Sequence, residues 1–144
     1  MNAIEFLIKE HDKVKRILNE IEDDSKQFET KRRLFQEVGH ALIRHENMEQ
    51  DLWYPCFKNN NLLDERVKHL LTEEKHAEKA IKELSEVQAP ADWEEKFAQF
   101  KKNVEHHAQE EEQMLFPAVK KILSEKELEK IGFEMNKYKQ SHLH

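Results

Sequence analysis

The sequence predicts an all-α fold: an up-down-up-down four-helix bundle with a short fifth helix at its C-terminal end. Three observations predict it. Charged residues make up 38% of the 144 positions, with 2 Gly and 3 Pro, a composition that suits long helices with solvated outer faces and argues against a sheet-rich fold. Apolar residues recur at alternating intervals of three and four, the signature of a helix that buries one stripe. Turn chemistry punctuates the chain at Asp23–Gln27, Asn59–Asn61, Gln88–Asp92 and Ser124, which separates long helical runs by short connections.

Each element follows from its own pattern. The first helix is expected from about Ala3 to about Asp24, with Ile4, Leu7, His11, Val14, Leu18 and Ile21 facing inward. The second covers about Thr30 to Asn59, kinked near Pro55, which lacks the amide that would bond the carbonyl of Asp51. Its stripe is Leu34, Val38, Ala41, His45, Glu49 and Leu52. A third helix starts near Asp64, a plausible N-cap, and runs to about Glu86. Val67, Leu70, Ala77, Ile81 and Leu84 mark its inner face, less sharply than elsewhere. Pro90 interrupts the next turn. Asp92 with Glu95 then resembles a capping box opening the fourth helix, which extends to about Leu123 with a kink at Pro117. Its stripe is Phe97, Phe100, Val104, His107, Glu111 and Met114, while His106 falls on a polar face. Ser124 with Glu127 caps a short last helix, about 125–139, docked through Leu128, Ile131, Met135 and Tyr138; the tail Ser141–His144 is expected to fray. The length fits one domain, with the bundle occupying about 3–123.

Composition also narrows the function. The formal charge is −6 without a clustered basic stripe, so nucleic-acid binding is not expected. No apolar run approaches the roughly 20 residues that span a bilayer, and the charged N-terminal stretch lacks a secretory cleavage pattern. A single cysteine, Cys56, has no internal partner for a disulfide, which fits a reducing compartment. A cytoplasmic protein without membrane or nucleic-acid partners is the expectation.

The informative motif occurs twice. His45-Glu46-Asn47-Met48-Glu49 leads to Pro55, and His107-Ala108-Gln109-Glu110-Glu111 leads to Pro117. In each, a Glu follows a His by four residues and a Pro follows it by ten, after an apolar-aromatic run. Residues four apart stack on one helix face, and here that face is the core stripe. A buried carboxylate without a partner is costly unless it takes up a proton or meets a cation. Neither stripe carries a Lys or Arg. With His11 and His76 as one inward His on each other helix, the candidate metal ligands are His11, His45, Glu49, His76, His107 and Glu111. Imidazole with carboxylate suits iron, zinc or manganese, and six ligands exceed what one tetrahedral zinc uses. Two metals bridged by Glu49 and Glu111 would use them all. A ferritin-like carboxylate site built on Glu37 with His40 and Glu73 with His76 is the competing metal reading.

From His11 to Pro117 the chain resembles the hemerythrin-like family of His-His-Glu cation-binding domains. The resemblance implies a four-helix bundle with a non-heme di-iron centre, two iron ions bridged by Glu49, Glu111 and an oxo or hydroxide group. It implies a small gaseous or peroxide ligand (oxygen, nitric oxide or peroxide), bound or sensed rather than turned over. Peroxide or nitric oxide turnover, and iron storage or repair, are the alternatives. The chain departs from the oxygen carriers at Thr72, where they have a further His, and at Glu111, where their last carboxylate is an Asp five residues after the His. Glu46, Glu73 and Glu112 are further candidates to complete the shell.

Overall fold

The computed structural model describes residues 1–57 and 59–142, all helical apart from short connections. Helix α1 is Ala3–Glu22, α2 Phe28–Met48, α3 Asn61–Glu86, α4 Pro90–Glu110, α5 Phe116–Lys120 and α6 Glu125–Ser141. Helices α1 to α4 close a ring: α1 packs on α2, α2 on α3, α3 on α4 and α4 on α1. Short turns make sequential neighbours antiparallel, which is the expected four-helix bundle. Lys58, Leu143 and His144, inside the second predicted helix and the predicted frayed tail, lie outside the described residues.

The caps show why the elements begin where they do. Asn2 and Glu5 form a capping box at the start of α1, as Ser124 and Glu127 do for α6. Helix α3 begins three residues before the expected Asp64, because the Asn60 side chain already accepts from the Leu62 amide at 2.9 Å. Helix α4 likewise begins at Pro90 rather than Asp92. Pro90 opens the helix instead of interrupting it, since the first helical position needs no amide.

Both expected kinks are π turns. Residues Glu49–Trp53 and Glu111–Leu115 each wind one residue wide, with the amides of Tyr54 and Phe116 reaching back five residues to the carbonyls of Glu49 and Glu111. Pro55 and Pro117 follow at once. A proline ring clashes with the carbonyl four residues before it and offers it no hydrogen; the extra residue moves that carbonyl aside. The wide turn also changes which residue comes inward next. Leu115 is 0% exposed while Met114, expected on the stripe, is 52% exposed. Trp53, rather than Leu52, is the fully buried residue at the matching place in the first copy.

The fifth long helix, α6, lies across α1 and α2. Its Gly132 sits against the start of α1: a Cβ there would come 2.5 Å from the Met1 carbonyl oxygen and 2.8 Å from the Asn2 carbonyl carbon. The helix-weakening glycine is therefore a contact requirement.

Two apolar clusters fill the bundle. One gathers Leu7, Met48, Trp53, Leu70, Leu115 and Phe116; the other gathers Leu18, Phe35, Leu84, Trp93, Phe97 and Phe100. Between them every long helix of the ring contributes a polar residue: His11 lies between Leu7 and Leu18, His45 and Glu49 between Leu42 and Trp53, Glu74 between Leu70 and Leu84, His107 and Glu111 between Phe100 and Leu115. The polar residues make one layer across the core.

Candidate metal centre

In that layer Glu49 and Glu111 are both 0% exposed, and His11 and His45 are buried with them. Glu111 is central. Its Oε1 lies 3.4 Å from Nε2 of His11 and 3.4 Å from Nε2 of His107, and Nε2 of His45 lies 3.3 Å from Oε1 of Glu49. Two triads of donor atoms result, His11 with His45 and Glu111, and Glu49 with His107 and Glu111, each with all donors within 4.8 Å of one another. Glu111 belongs to both.

These contacts are not hydrogen bonds. The Nε2 atoms of His11, His45 and His107 and all four carboxylate oxygens of Glu49 and Glu111 are buried without a hydrogen-bond partner. Buried polar atoms are nearly always paired, and a convergent set without partners fits a bound cation. The outer nitrogens are all served. Nδ1 of His11 donates to Glu112 at 2.7 Å, that of His107 to Glu73 at 2.9 Å, and that of His45 to Glu10 at 3.4 Å. A carboxylate on Nδ1 fixes the proton there and turns the Nε2 lone pair inward, the arrangement that orients metal-binding imidazoles. Glu10 is itself held by Lys139 of α6 at 2.7 Å.

The protonation pattern describes the same charge problem. Burial opposes charge on His11, but Glu111 and Glu112 outweigh it and hold its pKa up to about 9. Burial likewise opposes charge on His107, and Glu111, Glu73 and Glu74 push it up to about 12. Burial, then repulsion from Glu111 and Glu74, keeps the Glu49 carboxyl well above its ordinary value. Glu111 is also penalised by burial, yet the Glu49 carboxyl and the His107 and His11 imidazoles around it hold it well below. Without a metal, protons supply the positive charge that the carboxylates need.

Helix α3 enters through Glu74 rather than His76. Glu74 is buried, its Oε2 lying 3.4 Å from Nε2 of His107 and accepting from the Tyr54 hydroxyl at 2.8 Å, while Gln50 donates to its Oε1 at 3.0 Å. His76 is exposed and touches only the rim of an adjoining cavity. The other five predicted ligands converge on one place. The signal for Glu74 was present: Leu63, Val67, Leu70, Glu74, Ala77, Ile81 and Leu84 form an unbroken alternation of fours and threes, and Glu74 fills the gap between Leu70 and Ala77. His40, needed for a ferritin-like set, is also exposed, as is His106. Thr72 is exposed and bonds its own helix at the Lys68 carbonyl. Glu73 and Glu112 support imidazoles from outside, and Glu46 lines the cavity.

That cavity, about 250 Å³, opens from the imidazole edges of His11, His45 and His107 between Val14, Leu42, Ala77 and Phe100. Burial, with repulsion from Glu74, pushes Glu46 up to about 9, so its carboxyl stands protonated.

Residues 2–119 match the family described as hemerythrin HHE cation binding domain. The chain belongs to that family. Among solved structures, the hemerythrin HHE cation binding domain-containing protein from Mycobacterium kansasii superposes with a TM-score of 0.85 at 26% identity, covering 99% of this chain and 87% of that one. No curated protein gives a match. Membership of the hemerythrin HHE family makes this a cation-binding helical protein, and the layer of orphaned donors is where its chemistry fits a cation. Among the described residues, no helix is long and apolar enough to cross a membrane.

Proposed function

We propose that the protein holds a non-heme di-iron centre and binds or senses oxygen or a related small molecule such as nitric oxide or peroxide. The observation that carries the reading is the set of unpartnered buried donors arriving from α1, α2 and α4. His11, His45 and His107 supply neutral nitrogen, and Glu49, Glu74 and Glu111 supply three negative charges. Two divalent ions with one hydroxide balance that charge, and one divalent ion alone leaves it unbalanced. The donor set lacks thiolate, as suits iron, manganese or zinc, and mixed imidazole–carboxylate pairs on bundle helices suit iron.

When bound, iron would supply the open coordination positions and the electrons for oxygen or peroxide chemistry. The chain's own residues prepare the place. Glu111, in both donor triads, would bridge the ions. Glu112, Glu73 and Glu10 keep the three imidazoles aimed inward. The cavity offers room for a small molecule beside the imidazoles, with Val14, Leu42, Ala77 and Phe100 among its walls. Tyr54, donating to Glu74, holds that carboxylate on the layer.

Metal analysis of protein grown with iron should return about two irons per chain, as two-metal carboxylate bundles hold, with an absorption that changes between reduced and air-exposed forms. Stoichiometric zinc with no spectral response to air would sink the proposal. Turnover of peroxide or nitric oxide is the second reading, favoured by the buried Glu46 carboxyl, which lines the cavity beside the imidazoles where a proton could be exchanged with a bound molecule. Steady-state assays separate it from passive binding, since a sensor shows no turnover above free iron.

A further inference from the structure

Outside the buried layer, a further cluster of ligating side chains stands on α3 and α4. Nε2 of His69 lies 3.5 Å from Oε2 of Glu73 and 3.4 Å from Oε1 of Glu110, and the donors of His69, Glu73 and Glu110 all fall within 4.8 Å of one another. Cation-to-donor distances of about 2.0–2.2 Å fit inside such a triangle. Half of it is built rather than superficial. The Glu110 side chain is 11% exposed, and its Oε2 is buried without any hydrogen-bond partner. His69, at 53% exposed, leaves the outer side open to water.

Its position gives it a role. On α3, Glu73 faces this cluster and Glu74 faces the buried layer; Glu110, the last residue of α4, faces it, and Glu111, the first of the π turn, faces the layer. The ring of His107 spans the two, its Nδ1 bonded to Glu73 at 2.9 Å and its Nε2 3.4 Å from both Glu74 and Glu111. The two sites are thus one residue apart on each helix, separated by a single imidazole. Arg66 places Nη1 2.8 Å from Oε1 of Glu110, a cation already seated where a metal would land.

We propose that His69, Glu73 and Glu110 form an outer acceptor site for a hydrated divalent cation, which captures the metal that then fills the buried centre, with Arg66 as the resident charge it displaces. The inference rests on the reading of the buried layer as a metal centre. Two carboxylates and an open flank give a fast, weak site that attracts cations from solution. The buried triads, closed by packing, give a slow, tight one.

The test is anaerobic loading of the metal-free full chain with Co(II), followed by visible absorption in stopped flow, with final stoichiometry measured after desalting. H69A and E110Q should each slow loading about tenfold, the lower end of what local field focusing contributes to association rates, and leave the final metal content unchanged. R66A should speed it. Loading rates in H69A, E110Q and R66A that all equal wild type would overturn the outer site while leaving the buried centre standing. Loss of final metal content in H69A, whose side chain is half exposed and whose fold is checked by circular dichroism, would overturn it too by making His69 part of the centre. If the wild-type chain takes up no Co(II), both readings fail together, and the absent spectrum separates that result from the others.

Discussion

The assignment of Glu74 in place of His76 is the sharpest claim, because the two residues lie on the same helix half a turn apart. Glu74→Ala removes the acceptor of the buried Tyr54 hydroxyl, and an unsatisfied buried donor costs about 1–3 kcal/mol. Gln50, at the edge of the layer, can turn to water, and removing one of three facing carboxylates relieves repulsion. The metal-free variant should therefore lose about 1–2 kcal/mol. At roughly 2–4 °C per kcal/mol for a chain of this size, its melting point should fall by roughly 2–8 °C. The metal-binding effect is larger. An anionic donor lost from the centre should weaken at least one metal by about 100-fold, or about 2.7 kcal/mol. Glu74→Gln separates the two effects, because the amide oxygen still accepts from Tyr54 while the charge is gone. It should restore metal-free stability and remain metal-poor. His76→Ala touches an exposed side chain and should stay within about 0.5 kcal/mol of wild type with full metal content. Chelator competition measures affinity, elemental analysis measures content, and circular dichroism measures melting. A His76→Ala protein stripped of metal, beside a Glu74→Gln protein that keeps it, would refute the reasoning.

Metal uptake should release protons, because His11 at about 9, His107 at about 12 and the raised Glu49 carboxyl are protonated at neutral pH in the metal-free chain. Titration calorimetry in buffers of different ionisation enthalpy should show about three protons leaving per chain loaded; a buffer-independent heat would contradict the charge exchange. The same groups make the metal-free protein weaken with rising pH. The stabilisation from His11 and His107 is complete below their ordinary value of 6.5 and is lost upward, through about 9 for His11 and about 12 for His107. Metal-free melting points should drop between pH 7 and pH 10 while loaded protein holds, and parallel curves would count against it. Leu115→Ala should cost about 2–5 kcal/mol as a cavity in the core, whereas Met114→Ala should cost about 0.5 kcal/mol or less; urea midpoints in the reverse order would deny the π turn. Gly132→Ala drives a methyl into the Met1 and Asn2 backbone and should cost about 1–3 kcal/mol with metal content unchanged, and an unshifted melting curve would mean α6 does not lie against α1 as described.

Much of the molecule was legible one residue at a time. The stripes on α1, α2 and α4 fixed which faces turn inward, because a helix has one repeat and burial admits one face. They carried His11, His45, Glu49, His107 and Glu111 to the layer without reference to any neighbour. The repeated offset from His to Pro marked the π turns, although a one-dimensional pattern with a period near 3.6 could not reveal that the turn widens before the proline. That is why Met114 was placed inside and Leu115 was not.

What the sequence by itself determined, then, was the helical class, the buried stripes and the presence of carboxylates on them that need a proton or a cation. What only the tertiary structure decided was partnership. Glu74 rather than His76 completes the layer because Tyr54 and His107 come from other helices to meet it. Glu10, Glu73 and Glu112 become the keepers of three imidazoles only when α1, α2, α3 and α4 are brought side by side. Periodicity states which way a side chain points; what it points at is set by packing between segments far apart in the chain, and no local pattern contains that distance.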